Sequence, residues 1–180
     1  MNKQVWIEKA LGLGIQEFEI YQSTTVEKEM TWFQGQMDTL VSSKVTGTSI
    51  RGIVDGKMAN MALEEIDDSM CETVLKSLIE QAHIISNEET DSLRKPEPIE
   101  YVKKDVTWNM ASTEYVKDIL QSLEAKILAY DPRVIQVGYL GYSQGSGSRS
   151  IVNSLGMDVQ DADEMQYIVA SVVVKENEEI

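Results

Sequence analysis

An α+β fold, built mainly from antiparallel sheets with packed helices, is what this sequence of 180 residues predicts. Three observations lead there. Residues 69–86 and 112–130 repeat apolar side chains at helical spacing, so each helix has one apolar face to bury. Other segments alternate apolar and polar residues with a period of two, the mark of a half-buried strand. A helix followed by antiparallel strands occurs twice along the chain, which predicts two related helix-plus-strands units.

Residues 3–13 read as a short helix with Val5, Ala10 and Leu11 on or near one side, and Gly12 and Gly14 end it. Phe18 and Ile20 then alternate with Glu17, Glu19 and Tyr21 in a first strand. A second runs through Val26, Lys28, Met30 and Trp32, followed by a turn at Gln34-Gly35-Gln36 and an extended stretch from Met37 to Val54. Asp55-Gly56 is a strong hairpin signal, because a type I′ turn needs positive φ, which glycine adopts without steric cost. Lys57 to Leu63 is the returning strand. Ser69-x-x-Glu72 matches a capping box and opens a helix to about Ser86, whose apolar members include Cys71, Val74, Leu75, Leu78 and Ala82. Its face is expected to lie on the preceding sheet. Periodicity is then lost across a charged stretch holding Pro96 and Pro98, the predicted linker. Ser112 or Thr113 caps the next helix, which Asp131-Pro132 stops. Strands follow at Val134 to Ser143, Arg149 to Asn153 and Met165 to Lys175, with the Gly- and Ser-rich run 141–149 read as a flexible hairpin connection. Ile168 to Val174 shows little alternation and suits a strand covered on both faces; left uncovered, it would pair with another chain. The expected organisation is an N-terminal α+β domain at 1–90, a linker at 91–107 and part of a second domain at 108–180.

The net charge is −14, with 30 acidic residues against 16 basic ones. That field repels phosphate backbones and anionic lipid, so neither nucleic acid nor a membrane surface is an expected partner. Trp6, Trp32 and Trp108 are not clustered with basic residues, so no base-stacking platform is visible. No segment approaches the ~20 apolar residues that span a bilayer. A single cysteine, no N-x-[ST] sequon and an N-terminus without a signal-peptide core lead to an expectation of a soluble, cytoplasmic protein.

Candidate chemistry is sparse. A zinc that activates water takes about three protein ligands and keeps one open position. This chain holds one histidine, His83, and one cysteine, Cys71. They lie twelve residues apart, about 120° around one helix, so they cannot jointly hold a metal from one face or form a nucleophile pair. Cys71 reads as a small core hydrophobe and His83 as a packing or surface residue. The run Gly141-Tyr-Ser-Gln-Gly145-Ser-Gly147-Ser-Arg149 lacks the Gly-Lys-Ser/Thr ending of a phosphate loop. Carboxylate pairs are too abundant in so acidic a chain to single out an acid and a base. Arg51, set among small and apolar neighbours, reads first as an outward strand residue or a partner for an acid, and second as a substrate or interface contact.

The stretch Gly35-Gln-Met-Asp … Ser42-Ser-Lys-Val-Thr-Gly47-Thr-Ser-Ile-Arg51-Gly-Ile-Val-Asp55-Gly56 resembles the N-terminal domain of the PmbA/TldD family, proteins often labelled modulators of DNA gyrase. Ala10 to Tyr21 is similar to that family's opening helix and first strand. Val152-Asn153-Ser154-Leu155-Gly156 is similar to its Asn-Ser-x-Gly signature in the middle region. The resemblance implies a cytosolic zinc metallopeptidase acting on unfolded peptides, usually in a two-subunit assembly, a homo- or heterodimer of family members. It also implies that the zinc site, a His-Glu-x-x-x-His helix with a further cysteine-type ligand, lies in a C-terminal domain. No position here matches that site, so no catalytic, cofactor-binding or metal-binding residue is carried over and no cofactor is expected in this chain. Zinc is implied only for the full-length protein. Gly47, Arg51, Gly56, Asn153 and Gly156 are the family-motif positions, expected to be structural. The implied role is non-catalytic: building a dimer and walling a substrate chamber. The alternative is a free-standing interaction or regulatory module that pairs with a full-length homologue; a metal-free carboxylate enzyme is the remaining rival.

Overall fold

The computed structural model describes residues 1–64, 66–86, 90–98 and 110–177. Asn2 opens α1 (Lys3–Gly12), its side chain accepting from the Val5 N–H. Strands β1 (Glu17–Phe33), β2 (Gln36–Val54) and β3 (Lys57–Leu63) follow, then a 3₁₀ turn at Asp68–Met70, α2 (Cys71–Ile84), α3 (Thr113–Tyr130), β4 (Val134–Asn153) and β5 (Asp158–Val174). The strands form one five-stranded antiparallel sheet in the order β3-β2-β1-β4-β5, confirming the α+β class. Two-residue loops with both residues at positive φ join β1 to β2 (Gln34, Gly35) and β2 to β3 (Asp55, Gly56). Both match the expected turns. The second fixes the β2–β3 register from Val54↔Lys57 to Thr48↔Leu63.

Packing divides the chain into two compact units, one from residues 1–24, 45–105 and 148–162, the other from 25–44, 106–147 and 163–180. In the first, Trp6 and Ala10 of α1 and Leu75 and Leu78 of α2 are buried with Phe18, Ile20 and Ile50 of the strands. The expected apolar face of α2, Cys71, Val74, Leu75, Leu78 and Ala82, is buried as the spacing predicted. In the second unit, Val116 and Leu120 of α3 pack with Met30, Trp32, Leu140 and Tyr142. Glu124 of α3 is buried there and accepts from the Trp32 indole N–H at 2.8 Å and from the Gly35 N–H at 2.9 Å. One carboxylate thereby satisfies a core indole and the β1–β2 turn.

Several expectations are corrected. The two segments read at 18–21 and 26–32 are one strand, because the polar residues between them pair across the ladder: Gln22 donates to Thr48, and Thr24 and Thr46 share a hydrogen bond. The Gly- and Ser-rich run 141–149 is the interior of β4 and not a loop; Gln144 and Ser146 are buried within it, and the Gly147 N–H donates to Asp163. The connection between β4 and β5 lies at Ser154 to Met157 instead. Ser69 does not cap α2. Asp67 caps the preceding 3₁₀ turn by accepting from the Ser69 N–H, and the Ser69 hydroxyl also donates back to Asp67. Ser112, by contrast, does cap α3, accepting from the Tyr115 N–H. Ile168 to Val174, expected to be covered on both faces, is largely exposed, because among the described residues both buried clusters gather on other strands and on the helices. From residue 99 onward the expected linker lies outside the described residues, as does Trp108.

Candidate functional site

The first unit gathers two of the sequence-predicted motif residues around a third that the sequence did not single out. Glu19, on β1 between the core residues Phe18 and Ile20, is 3% exposed. A buried carboxylate needs partners for both oxygens. Arg51 of β2 supplies two donors to one oxygen, Nε at 2.7 Å and Nη2 at 2.6 Å. Asn153 Nδ2, at the end of β4, donates to the other at 3.1 Å.

Asn153 is the hub of the turn that follows. Its Nδ2 also donates to the Arg94 carbonyl at 2.9 Å, while its Oδ1 accepts from the Leu155 and Met157 N–H groups at 3.0 and 2.9 Å. These are all four hydrogen bonds a side-chain amide can make. Ser154 anchors the same turn to β1: its N–H donates to the Phe18 carbonyl, and its hydroxyl accepts from the Phe18 N–H. Gly156, at φ +93°, sits where an L side chain would be strained. The Asn-Ser-x-Gly signature is therefore a turn built to present one amide to a buried acid.

An open cavity of about 260 Å³ adjoins this network, lined by Glu19, Tyr21, Ser49, Arg51 and Ile151. Arg51 is half exposed toward solvent while its guanidinium holds Glu19. Both carboxylate oxygens already accept hydrogen bonds, so the arrangement is built to hold strands and turn in register.

The remaining motif positions lie elsewhere. Gly56 forms the β2–β3 turn, donating to Gln16 Oε1 at 3.1 Å and accepting from the Asp91 N–H. Gly47 stands mid-strand, where an added Cβ would meet only the Ser23 hydroxyl at 3.8 Å; the structure shows no steric need for glycine there. The alternation of β1 puts Glu19 on the polar side of the strand, yet it is buried. Its one signal was an acid locked between two large core residues, and the residue that buries it is 134 positions away.

The donors do not fit a catalytic zinc. Cys71 is buried in the first core, where desolvation pushes its thiol above the usual range. His83 is exposed on α2, its Nε2 3.7 Å from the Asp55 carboxylate. Twelve residues of helix separate the two by about 18 Å. Among the described residues, no three His, Cys, Asp or Glu side chains stand together to hold a metal ion, and no helix is long and apolar enough to cross a membrane.

Residues 18–86 match the PmbA/TldA metallopeptidase domain 1, and residues 107–180 match the PmbA/TldA metallopeptidase central domain. No curated protein matches the chain. Among solved structures, a candidate modulator of a DNA gyrase from Thermotoga maritima superposes with a TM-score of 0.77 at 18% identity, covering 97% of this chain and 39% of its own. TldE from Thermococcus kodakarensis gives 0.77 at 19% identity, with the same coverage. A candidate DNA gyrase modulator from Bacteroides thetaiotaomicron gives 0.72 at 17%, covering 98% of this chain and 41% of its own. At these identities the likeness is one of fold, and the chain spans about two fifths of the length of the structures it matches. With two domain matches in order along the sequence, and a fold shared over nearly its whole length, the chain belongs to the PmbA/TldD family of metallopeptidase-like proteins.

Proposed function

We propose that these residues are the non-catalytic N-terminal and central region of a PmbA/TldD-type zinc metallopeptidase of the cytoplasm, one that degrades or matures unfolded peptides. In this reading they build the subunit dimer and wall the substrate chamber, and the zinc chemistry belongs to a separate C-terminal domain. The carrying observation is the pairing of the two family domains with a donor set, Cys71 in the core and His83 on the surface, that is wrong for zinc. The Glu19–Arg51–Asn153 network supports the same role, since its groups hold one another and tie β1, β2 and the turn after β4 together. No DNA contact is assigned despite the relatives' names, because a net charge of −14 repels a phosphate backbone.

Metal analysis with a peptidase assay on the protein tests the reading. The expected result is no stoichiometric zinc and no cleavage of an unfolded peptide. Tightly bound zinc at one per chain, with cleavage abolished by a chelator, overturns it. The exposed apolar strand β5 favours a second reading, an interaction module that pairs with a full-length homologue. Co-purification with that homologue, but not as a homo-oligomer, selects it.

A further inference from the structure

We propose that Arg51 works on two sides, and that the guanidinium hydrogens Glu19 leaves unused bind the carboxylate of an unfolded peptide in the adjoining cavity of about 260 Å³. That the ligand is a peptide rests on the scaffold reading; that it binds through a carboxylate follows from the geometry. A guanidinium carries five N–H donors, and Glu19 takes one from Nε and one from Nη2. Three remain, and no other described residue accepts from them. The Arg51 side chain is 43% exposed and lines the cavity. Tyr21 and Ser49 line it too, with hydroxyls that make no hydrogen bond to another described residue. Strand alternation gathers them: Tyr21 follows Glu19 by two on β1, and Ser49 precedes Arg51 by two on β2. All four therefore share the face opposite Ile20 and Ile50, which are buried with α1 and α2.

The donors match an anion of a single charge. Arg51 and Glu19 cancel, and among the described residues no second acid lines the cavity, so this patch lacks local repulsion in a chain of net charge −14. A guanidinium fork flanked by hydroxyls is the planar, charge-assisted donor set that pairs with both oxygens of a carboxylate. A phosphate dianion would meet the overall negative field with twice the charge. Ile151 gives the cavity one apolar wall for the carbon skeleton beside the carboxylate. A peptide offers this group at its C-terminus and on Asp or Glu, and both sources present the same two oxygens.

The test is an NMR titration of the isotope-labelled protein with an unfolded peptide that lacks Asp and Glu. The peptide is supplied as the free acid, as the C-terminal amide, and as the amide with one Glu added. The free acid should shift the Arg51 Nε–H signal and the backbone signals of Tyr21 and Ser49, and the amide should bind about tenfold more weakly, since a charged hydrogen bond carries roughly that factor. Recovery of binding with the added Glu supports the inference and assigns a side-chain source; no recovery supports it and assigns the C-terminus. Tyr21→Phe and Ser49→Ala remove hydroxyls that no described residue bonds, so circular dichroism should be unchanged while the free acid binds several-fold more weakly. An amide that binds as tightly as the acid overturns the inference, as do shifts confined to other parts of the chain. Unweakened binding in both variants, or inorganic phosphate binding more tightly than acetate, overturns it as well. Any of these outcomes in a protein without zinc or peptidase activity leaves the scaffold reading standing, whereas bound zinc with cleavage would remove that reading and not the carboxylate site.

Discussion

Arg51 and Glu19 divide the work of one ion pair unequally. The arginine keeps half its side chain in water, while the carboxylate has almost none. Removing the arginine leaves a buried acceptor with too few donors, whereas removing the acid leaves a cation that solvent can accommodate. Arg51→Met is therefore expected to lower stability by roughly 2 kcal/mol, below the full cost of breaking a buried pair because of that exposure. Glu19→Gln in the same background should restore part of the loss, since a neutral amide no longer needs a cation. Urea denaturation of the two single variants and the double variant measures the coupling; strict additivity would show that the contact does not stabilise the fold. The same residues mark the limit of what the sequence discloses. Arg51 and Asn153 were visible as motif positions, and their shared partner was not, because Glu19 owes its burial to a turn far along the chain.

At the level of elements, what is local was legible and what is imposed by neighbours was not. Asp55-Gly56 predicts its hairpin because the left-handed backbone it needs is a property of those two residues. The apolar faces of α2 and α3 follow from spacing alone. β1 and β4 run longer than their alternation suggests, since polar and glycine-rich stretches break the pattern that marks a strand while cross-strand hydrogen bonds still carry the ladder through them. Glu124 belongs to the same class: an acid on a helix reads as solvent-facing until the indole of Trp32 is packed beside it. Glu124→Ala leaves that indole and the Gly35 N–H without their acceptor, and the expected cost is about 2 kcal/mol. Glu124→Gln, which keeps an acceptor oxygen, should cost less than half as much. Thermal melts followed at the tryptophan fluorescence separate the two; equal losses would mean that shape, and not hydrogen bonding, sets the penalty.

For the whole molecule, charge decides how stability changes with pH. At a net charge of −14 the folded chain repels itself, so added salt should raise the melting temperature through screening. Acid acts oppositely on particular groups. The Arg133 guanidinium and N–H hold Asp131 down to about 2 from an ordinary 3.8, and hydrogen bonds from Ser69, and from Asn2 and Trp6, hold Asp67 and Asp68 below their ordinary value. A carboxyl whose folded pKa is depressed stabilises the fold above its unfolded pKa. As pH falls from 3.8 toward 2, the unfolded chain binds the proton first and that stabilisation is lost. Stability should therefore be level or slightly rising from pH 7 to about 5, where repulsion eases, and should fall steeply below about 4. Asp131→Asn removes one of the groups responsible, so its acid limb should be shallower between pH 4 and pH 2 while its neutral stability is lower. The difference should shrink in high salt because the pair is exposed. Acid titrations followed by circular dichroism at low and high ionic strength test this, and superimposable acid limbs for the two proteins at low salt would remove Asp131 from the account.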